Sequence, residues 1–249
     1  VCGGRTLVDS QTAVEAGLRD GVVVHVVSTG AVKVLTASED GTAKLWDEDS
    51  GRCERSYAHA GKVNTAAFSP NREAVLTASD DHAAKLWDAA SGTCMATFQH
   101  QGSVATAVFS FDGKKVITAS EDCTAKVWDA ATGACERTLR QIVGVSSAVF
   151  VPRTTEVLTL SADGVAKLWG PSRVRWPFRH ERGVNSFAFS PDAATLLTAG
   201  NEGTAKLWDL KSGESLWTFS HESKVRAVAF APDGAEAVTA SDDGSARLW

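Results

Sequence analysis

The chain has 249 residues with 25 Lys and Arg against 30 Asp and Glu, and its net charge of −5 excludes the basic excess with which nucleic-acid binders neutralise phosphates. With 43% hydrophobic and 22% charged residues it is too apolar to stay disordered and rich enough to bury a core. No apolar run approaches the roughly 18 residues that span a bilayer, and no charged-then-apolar leader opens the chain. The expected compartment is therefore the cytoplasm, with the nucleus as the alternative, and neither a membrane nor a nucleic acid is an expected partner. The chain starts at Val1, so it reads as an excerpt of a longer one whose start can hold a targeting signal.

Eight Trp against one Tyr and one Met, with 21 Gly, point to one structural position used many times. In chain order, residues 1–21 contain no Trp, no His and no Ser-Gly turn. From residue 22 onward six Trp close near-identical phrases, such as LTASEDGTAKLWD and VTASDDGSARLW. They are Trp46, Trp87, Trp128, Trp169, Trp208 and Trp249, spaced by 41, 41, 41, 39 and 41 residues. Self-similarity at such a period marks a repeat architecture.

Within one period every local signal is β. Val63–Ser69 is a short apolar stretch followed by a turn at Pro70 and Asn71, and Ala74–Ser79 leads through an acidic turn into Ala83–Trp87. A Ser-Gly turn at Ser91 and Gly92 precedes Thr93–Phe98. Four short strands joined by tight turns predict an antiparallel meander, and no segment carries a helical period.

The period, the four strands, the His that opens a repeat and the Trp-Asp that closes its third strand resemble the WD-repeat family over residues 22–249. That resemblance implies an all-β fold, a β-propeller of six WD repeats with four-stranded antiparallel blades, either a closed six-bladed ring or an incomplete arc of a seven-bladed one. It also implies a structural tetrad in each repeat, a hydrogen-bond chain from Trp indole to Thr hydroxyl to His to a turn carboxylate. The sets are His59, Thr77, Asp81 and Trp87; His100, Thr118, Asp122 and Trp128; His180, Thr198, Glu202 and Trp208; and His221, Thr239, Asp243 and Trp249. Each residue type suits its place: indole only donates, hydroxyl donates and accepts, imidazole bridges, and carboxylate accepts.

Thr, His and Asp together also describe a nucleophile with its base and orienter. Recurrence in repeat after repeat argues for a structural role, and the chain holds no Walker-type loop, GxSxG or GxGxxG. The expectation is a non-enzyme with no catalytic residue, no cofactor and no metal. Leu18 and Gln141 stand where the other repeats have His, Glu202 lengthens the acceptor, and Gly170 replaces the Asp after Trp169, with Pro171 and Pro177 nearby. Repeats one and four are therefore expected to be the least stable.

Five Cys fit no zinc spacing, and Cys53, Cys94 and Cys135 fall at one repeat position, so they are expected to be reduced, strand-filling thiols. His82 and Cys123 replace a turn glycine and are expected on the surface with φ > 0. Lys44, Lys85, Lys126, Lys167, Lys206 and Arg247, two residues before each Trp, are expected to form a solvated cationic face. Trp176 and Trp217 are expected to be ordinary fillers of fourth strands.

Function in such a fold resides in loops on a rigid scaffold. In the family the loop-bearing end most often docks peptides, and here it carries Arg226, Lys62, Lys224, Arg182, Asp80, Glu121 and Asp242. Arg226 is the leading candidate contact. Residues 1–27, with Gly4, Leu7, Asp9, Thr12, Ala16-Gly17-Leu18, Asp20-Gly21 and Val23–Val27, resemble the second half of a ubiquitin-like domain. Residues 1–21 are then either the remnant of that domain or an outer strand that closes the ring. The leading reading is a non-catalytic protein-interaction scaffold whose partners are proteins or peptides. A substrate receptor or adaptor acting with ubiquitin-ligase machinery is an alternative, supported by Trp208-Asp209-Leu210-Lys211, which resembles a cullin-docking Trp-Asp-x-Arg element. The other alternative is the regulatory propeller of a larger enzyme.

Overall fold

The structure, a computed structural model, describes residues 33–47, 49–171 and 173–249, and residues 23–27 as backbone. Residues 1–21, with Leu18 and most of the ubiquitin-like resemblance, lie outside the described residues. Every regular element described is a β-strand.

The first sheet is β1 (Val23–Val27), β2 (Lys33–Ala37), β3 (Thr42–Asp47) and β4 (Cys53–Ala58). The second is β5 (Val63–Phe68), β6 (Ala74–Ser79), β7 (Ala83–Asp88) and β8 (Cys94–Gln99). The third is β9 (Val104–Phe109), β10 (Lys115–Ser120), β11 (Thr124–Asp129) and β12 (Cys135–Arg140). The fourth is β13 (Val145–Phe150), β14 (Val157–Ser161), β15 (Ala166–Trp169) and β16 (Val174–Phe178). The fifth is β17 (Val184–Phe189), β18 (Thr195–Gly200), β19 (Thr204–Asp209) and β20 (Ser215–Ser220). The sixth has three strands, β21 (Val225–Phe230), β22 (Ala237–Ser241) and β23 (Ala246–Leu248). Each sheet keeps sequence order, as short turns between antiparallel neighbours require.

The chain divides into two compact units, one holding the described residues up to Asp122 with Lys126–Thr138, the other Cys123–Ala125 with Leu139–Trp249. Inside each unit the core lies between successive sheets. In the first, Leu76, Ala78, Ala84, Leu86 and Phe98 of the second sheet pack against Val104, Ala107, Val116 and Trp128 of the third. In the second unit, Leu197, Ala199 and Ala205 meet Val225, Val228 and Ala237. Burying a side chain such as Phe98, which is fully inaccessible, contributes about 1.5–3 kcal/mol.

Two details position the loop ends. In the sheets from the second to the sixth, the first strand skips one residue in its pairing with the second: Asn64, Ala105, Ser146, Asn185 and Arg226. A β-bulge re-aims the skipped side chain and bends the strand. The acidic turns between second and third strands need a left-handed residue, with φ of +83° at Gly41 and 69° and 67° at His82 and Cys123. His82 is exposed and Cys123 half-buried.

Candidate functional site: repeated buried networks and the charged loop ends

In the second sheet the Trp87 indole N–H donates to Thr77 Oγ1 at 2.8 Å, and the same oxygen lies 2.7 Å from His59 Nε2. His59 Nδ1 is 2.8 Å from Asp81 Oδ2. A carboxylate only accepts, so Nδ1 carries the proton and Nε2 accepts from the Thr77 hydroxyl. Asp81 also accepts the N–H of Ala60 at 3.0 Å and of Ala83 at 3.1 Å. One carboxylate thus ties the loop ahead of β5 to the turn between β6 and β7.

The same three contacts recur. His100 lies 2.7 Å from Thr118 and 2.8 Å from Asp122, with Trp128 donating to Thr118 at 2.9 Å. His221 lies 2.7 Å from Thr239 and 2.9 Å from Asp243, with Trp249 at 2.9 Å. His180 lies 2.8 Å from Thr198 and bonds to Glu202, with Trp208 at 2.7 Å. All four imidazoles are wholly inaccessible to solvent. Burial pushes His59, His100 and His180 below the ordinary imidazole value of 6.5, against the raising effect of their carboxylates. Burial alone would raise Asp81, but the hydrogen bonds from Ala60, His59 and Ala83 hold it below its ordinary 3.8. In the three chains of His59, His100 and His180 an uncharged ring thus bridges to an ionised carboxylate, and all four chains are closed, each with its Thr hydroxyl already engaged.

The first and fourth repeats differ. Trp46 still donates to Thr36 at 2.9 Å, while Asp40 accepts from the Thr42 N–H at 2.9 Å and from Lys44 at 3.2 Å. Gln141 donates from Nε2 to Thr159 at 2.8 Å, and its Oε1 accepts from Ser161 at 2.8 Å. Gln141 therefore serves the Thr side of the chain and stops at Ser161, while Asp163 accepts only from the Val165 N–H among the bonds recorded for it.

Three expectations are corrected. Four of the six cations two residues before Trp are not simply solvated. Lys85 lies 5.4 Å from the centre of the Trp87 ring and donates to Ala58 O at 3.3 Å; Lys126 lies 5.4 Å from Trp128 and donates to Gln99 O at 2.9 Å. Lys206 and Arg247 reach Arg179 O and Ser220 O at 3.4 and 2.7 Å. Lys85, Lys126 and Arg247 thus cap the last strand of the preceding sheet, and Lys206 the residue that follows it; an aromatic residue of that strand also meets the Trp, as Tyr57 does with Trp87 at 5.6 Å. The thiols of Cys53, Cys94 and Cys135 do not fill strands: they are free and exposed at the first residue of β4, β8 and β12. Trp176 lies against Gly213, but Trp217 is 67% exposed and fills nothing.

The loop-end charges are held by specific partners. Arg226, on its bulge, grips Asp242 through Nε at 2.8 Å and Nη2 at 2.7 Å with its side chain 58% exposed. Lys224 O accepts the Asp242 N–H at 2.9 Å. The exposed Arg182 accepts Asn201 Nδ2 on its carbonyl at 2.9 Å. In the other unit Lys62 pairs with Glu39 at 2.7 Å, and Glu121 is exposed with its N–H on Ser103 O at 2.9 Å. Asp80 accepts from Ser103 at 2.5 Å and from Asn64 at 2.7 Å, which hold it below its ordinary 3.8. Asn64 also reaches Val104 O at 3.0 Å, so Asp80 and Asn64 clamp one sheet to the next rather than standing free. Asn185 makes the matching bond to Val225 O at 2.9 Å. The bulges that aim these residues have no one-letter signal and escaped the sequence reading.

Four-stranded meanders with a Trp–Thr–His–carboxylate chain define a WD-repeat β-propeller. The WD domain, G-beta repeat family matches residues 20–47, 51–88, 92–129, 174–209 and 213–249, more than half of the chain, and the chain belongs to that family. Eukaryotic translation initiation factor 3 subunit I of Drosophila yakuba is 42% identical over 67 residues, 27% of this chain and 20% of that protein. WD repeat-containing protein 37 of Homo sapiens is 44% identical over 59 residues, 23% of this chain and 12% of that protein. The matched stretch therefore spans a fifth or less of these curated relatives. Among solved structures, the computationally designed Ika8 protein aligns with a TM-score of 0.78 and 25% identity, covering 91% of this chain and 70% of that one.

Proposed function

We propose that the chain is a non-catalytic protein-interaction scaffold that presents charged loop-end side chains on rigid sheets. The observation that supports it most is the contrast between interior and rim. The His, Thr and carboxylate groups that would do chemistry are sealed and mutually bonded, whereas Arg226 stays exposed while Asp242 fixes its direction. A guanidinium held in a bidentate ion pair loses little freedom on contact with a partner, and such residues are favoured hot spots. Arg226, Lys224, Arg182 and Asp242 form the contact set of one unit, and Lys62 and Glu121 that of the other, with Asp80 serving the clamp.

The partner class is protein or peptide. The Drosophila relative bears the name of a subunit of a multi-subunit factor, which favours a place for this chain inside a larger protein assembly in the cytoplasm. The test is affinity capture with wild type and Arg226→Glu, compared partner by partner. Loss of a defined subset with the variant is expected; identical recovery from both overturns the assignment of Arg226.

A further inference from the structure

The cross-strand row Phe150, Val157, Trp169 and Val174 closes one end of the fourth sheet, away from the turn of Asp163. Arg153, Arg173 and Arg175 gather at that end against one carboxylate, Glu156, in a chain whose net charge is −5. The same end of the fifth sheet, in the same unit, carries Asp192, Asp209 and Glu214 against Lys211. Two departures from the repeat reverse the sign. In the first, second, third and fifth sheets an Asp follows the Trp and accepts the N–H of a Ser or Thr three residues on, as Asp209 does from Ser212 at 2.6 Å. That bond holds Asp209 below its ordinary 3.8, so the turn keeps a fixed negative charge. The fourth sheet has Gly170 there, and a Cβ on it would lie 3.3 Å from Cγ and Cδ of Arg175. Losing the carboxylate therefore also makes room for the arginine stem. Arg175 is itself the residue skipped in the pairing of β15 with β16, and its re-aimed side chain donates to Glu156 at 2.6 Å and to Lys211 O at 3.4 Å. Arg153 and Arg173 are exposed, and among the described residues neither guanidinium has an ion-pair partner. A cleft of about 350 Å³ lies at this end, lined by Glu156, Gly170, Pro171, Arg173 and Arg175.

We propose that this end of the fourth sheet docks an acidic segment of a protein partner, whose Asp and Glu side chains meet Arg173 at the cleft and Arg153 on the neighbouring turn. It is a second site, at the opposite end of the sheet from the acidic turns, and does not depend on Arg226. A planar guanidinium fork matches a carboxylate with two parallel hydrogen bonds, and all three cations here are Arg rather than Lys. Opposite charge on a partner steers the encounter and fixes its orientation. The basic end is one sheet wide, and the fifth sheet beside it carries three carboxylates. A nucleic acid, whose charge continues past the cleft, meets repulsion there. A short acidic segment does not.

Fluorescence anisotropy of a labelled oligoglutamate peptide, titrated with the full chain, tests this, with an oligonucleotide of equal length as the competing class and circular dichroism confirming that each variant is folded. Wild type is expected to bind the peptide saturably and more weakly as salt is added. Arg173→Glu and Arg153→Glu are each expected to weaken binding by roughly fivefold, the scale on which an exposed ion pair is lost and a repulsion gained. Arg226→Glu is expected to bind as wild type does. A wild type that binds no peptide, an Arg173→Glu variant that binds it unchanged, an equal loss with Arg226→Glu, or an oligonucleotide bound more tightly than the peptide overturns the proposal.

Discussion

Gly200 and Glu202 are a matched pair. A Cβ added at Gly200 would lie 2.5 Å from Glu202 Oε1 and 2.1 Å from His180 Nδ1. The other repeats carry Ser at this position, as Ser38, Ser79, Ser120, Ser161 and Ser241, and each of them has the shorter Asp two residues on. The fifth repeat thus accommodates one extra methylene by deleting one side chain.

Gly200→Ser is accordingly expected to destabilise the protein by about 1–3 kcal/mol through overpacking. Adding Glu202→Asp is expected to recover a large part of that loss, giving a favourable coupling of about 0.5–3 kcal/mol in a double-mutant cycle. Urea unfolding of the four proteins measures it, and additive losses would separate the two residues.

Thr77 is the hub of its repeat, and Thr77→Val removes the acceptor of the Trp87 N–H and the donor to His59 at once. Stranding buried polar groups costs about 1–3 kcal/mol each. The expected loss exceeds that of Thr36→Val, where the bond recorded from a side chain is that of Trp46. Equal losses in the unfolding midpoint would contradict the ranking.

Acid is expected to destabilise the fold. His59, His100 and His180 have folded pKa values below 6.5, so the unfolded chain binds protons first as pH falls. Their contribution is whole above the unfolded value near 6.5 and is lost as pH drops through and below it. Asp81 and Glu202, held below 3.8 and 4.5, add losses of the same sign at lower pH. Thermal melting at pH 5.5 should fall below that at pH 7.5; an unchanged or higher midpoint would contradict this.

Hydrogen exchange is expected to open the fourth repeat before the second and third. Gln141 halts at Ser161, and no chain of bonds joins it to Asp163 as His59 joins Asp81. Uniform protection across these repeats would set the expectation aside.

The repeat, the strand order and the Trp–Thr–His–carboxylate chemistry were legible in the sequence because each is tied to a residue type at a fixed spacing. What escaped depends on contacts between repeats. Asn64 and Arg226 share a bulge position, yet one clamps Val104 and the other grips Asp242, and only the neighbouring strand decides which. Lys85 and Lys126 look like surface charge until the preceding sheet brings Ala58 O and Gln99 O within reach. The role of Gly200 at the end of β18 emerges only when Glu202 and His180 are placed beside it.

The central claim is that the repeated imidazoles are sealed structural bridges. Long-range proton–nitrogen NMR of the ring nitrogens of His59, His100 and His180 tests it most directly. The account predicts neutral rings protonated on Nδ1 and still uncharged as pH passes below 6.5; rings protonated on Nε2, or titrating at 6.5 like a free imidazole, would contradict it.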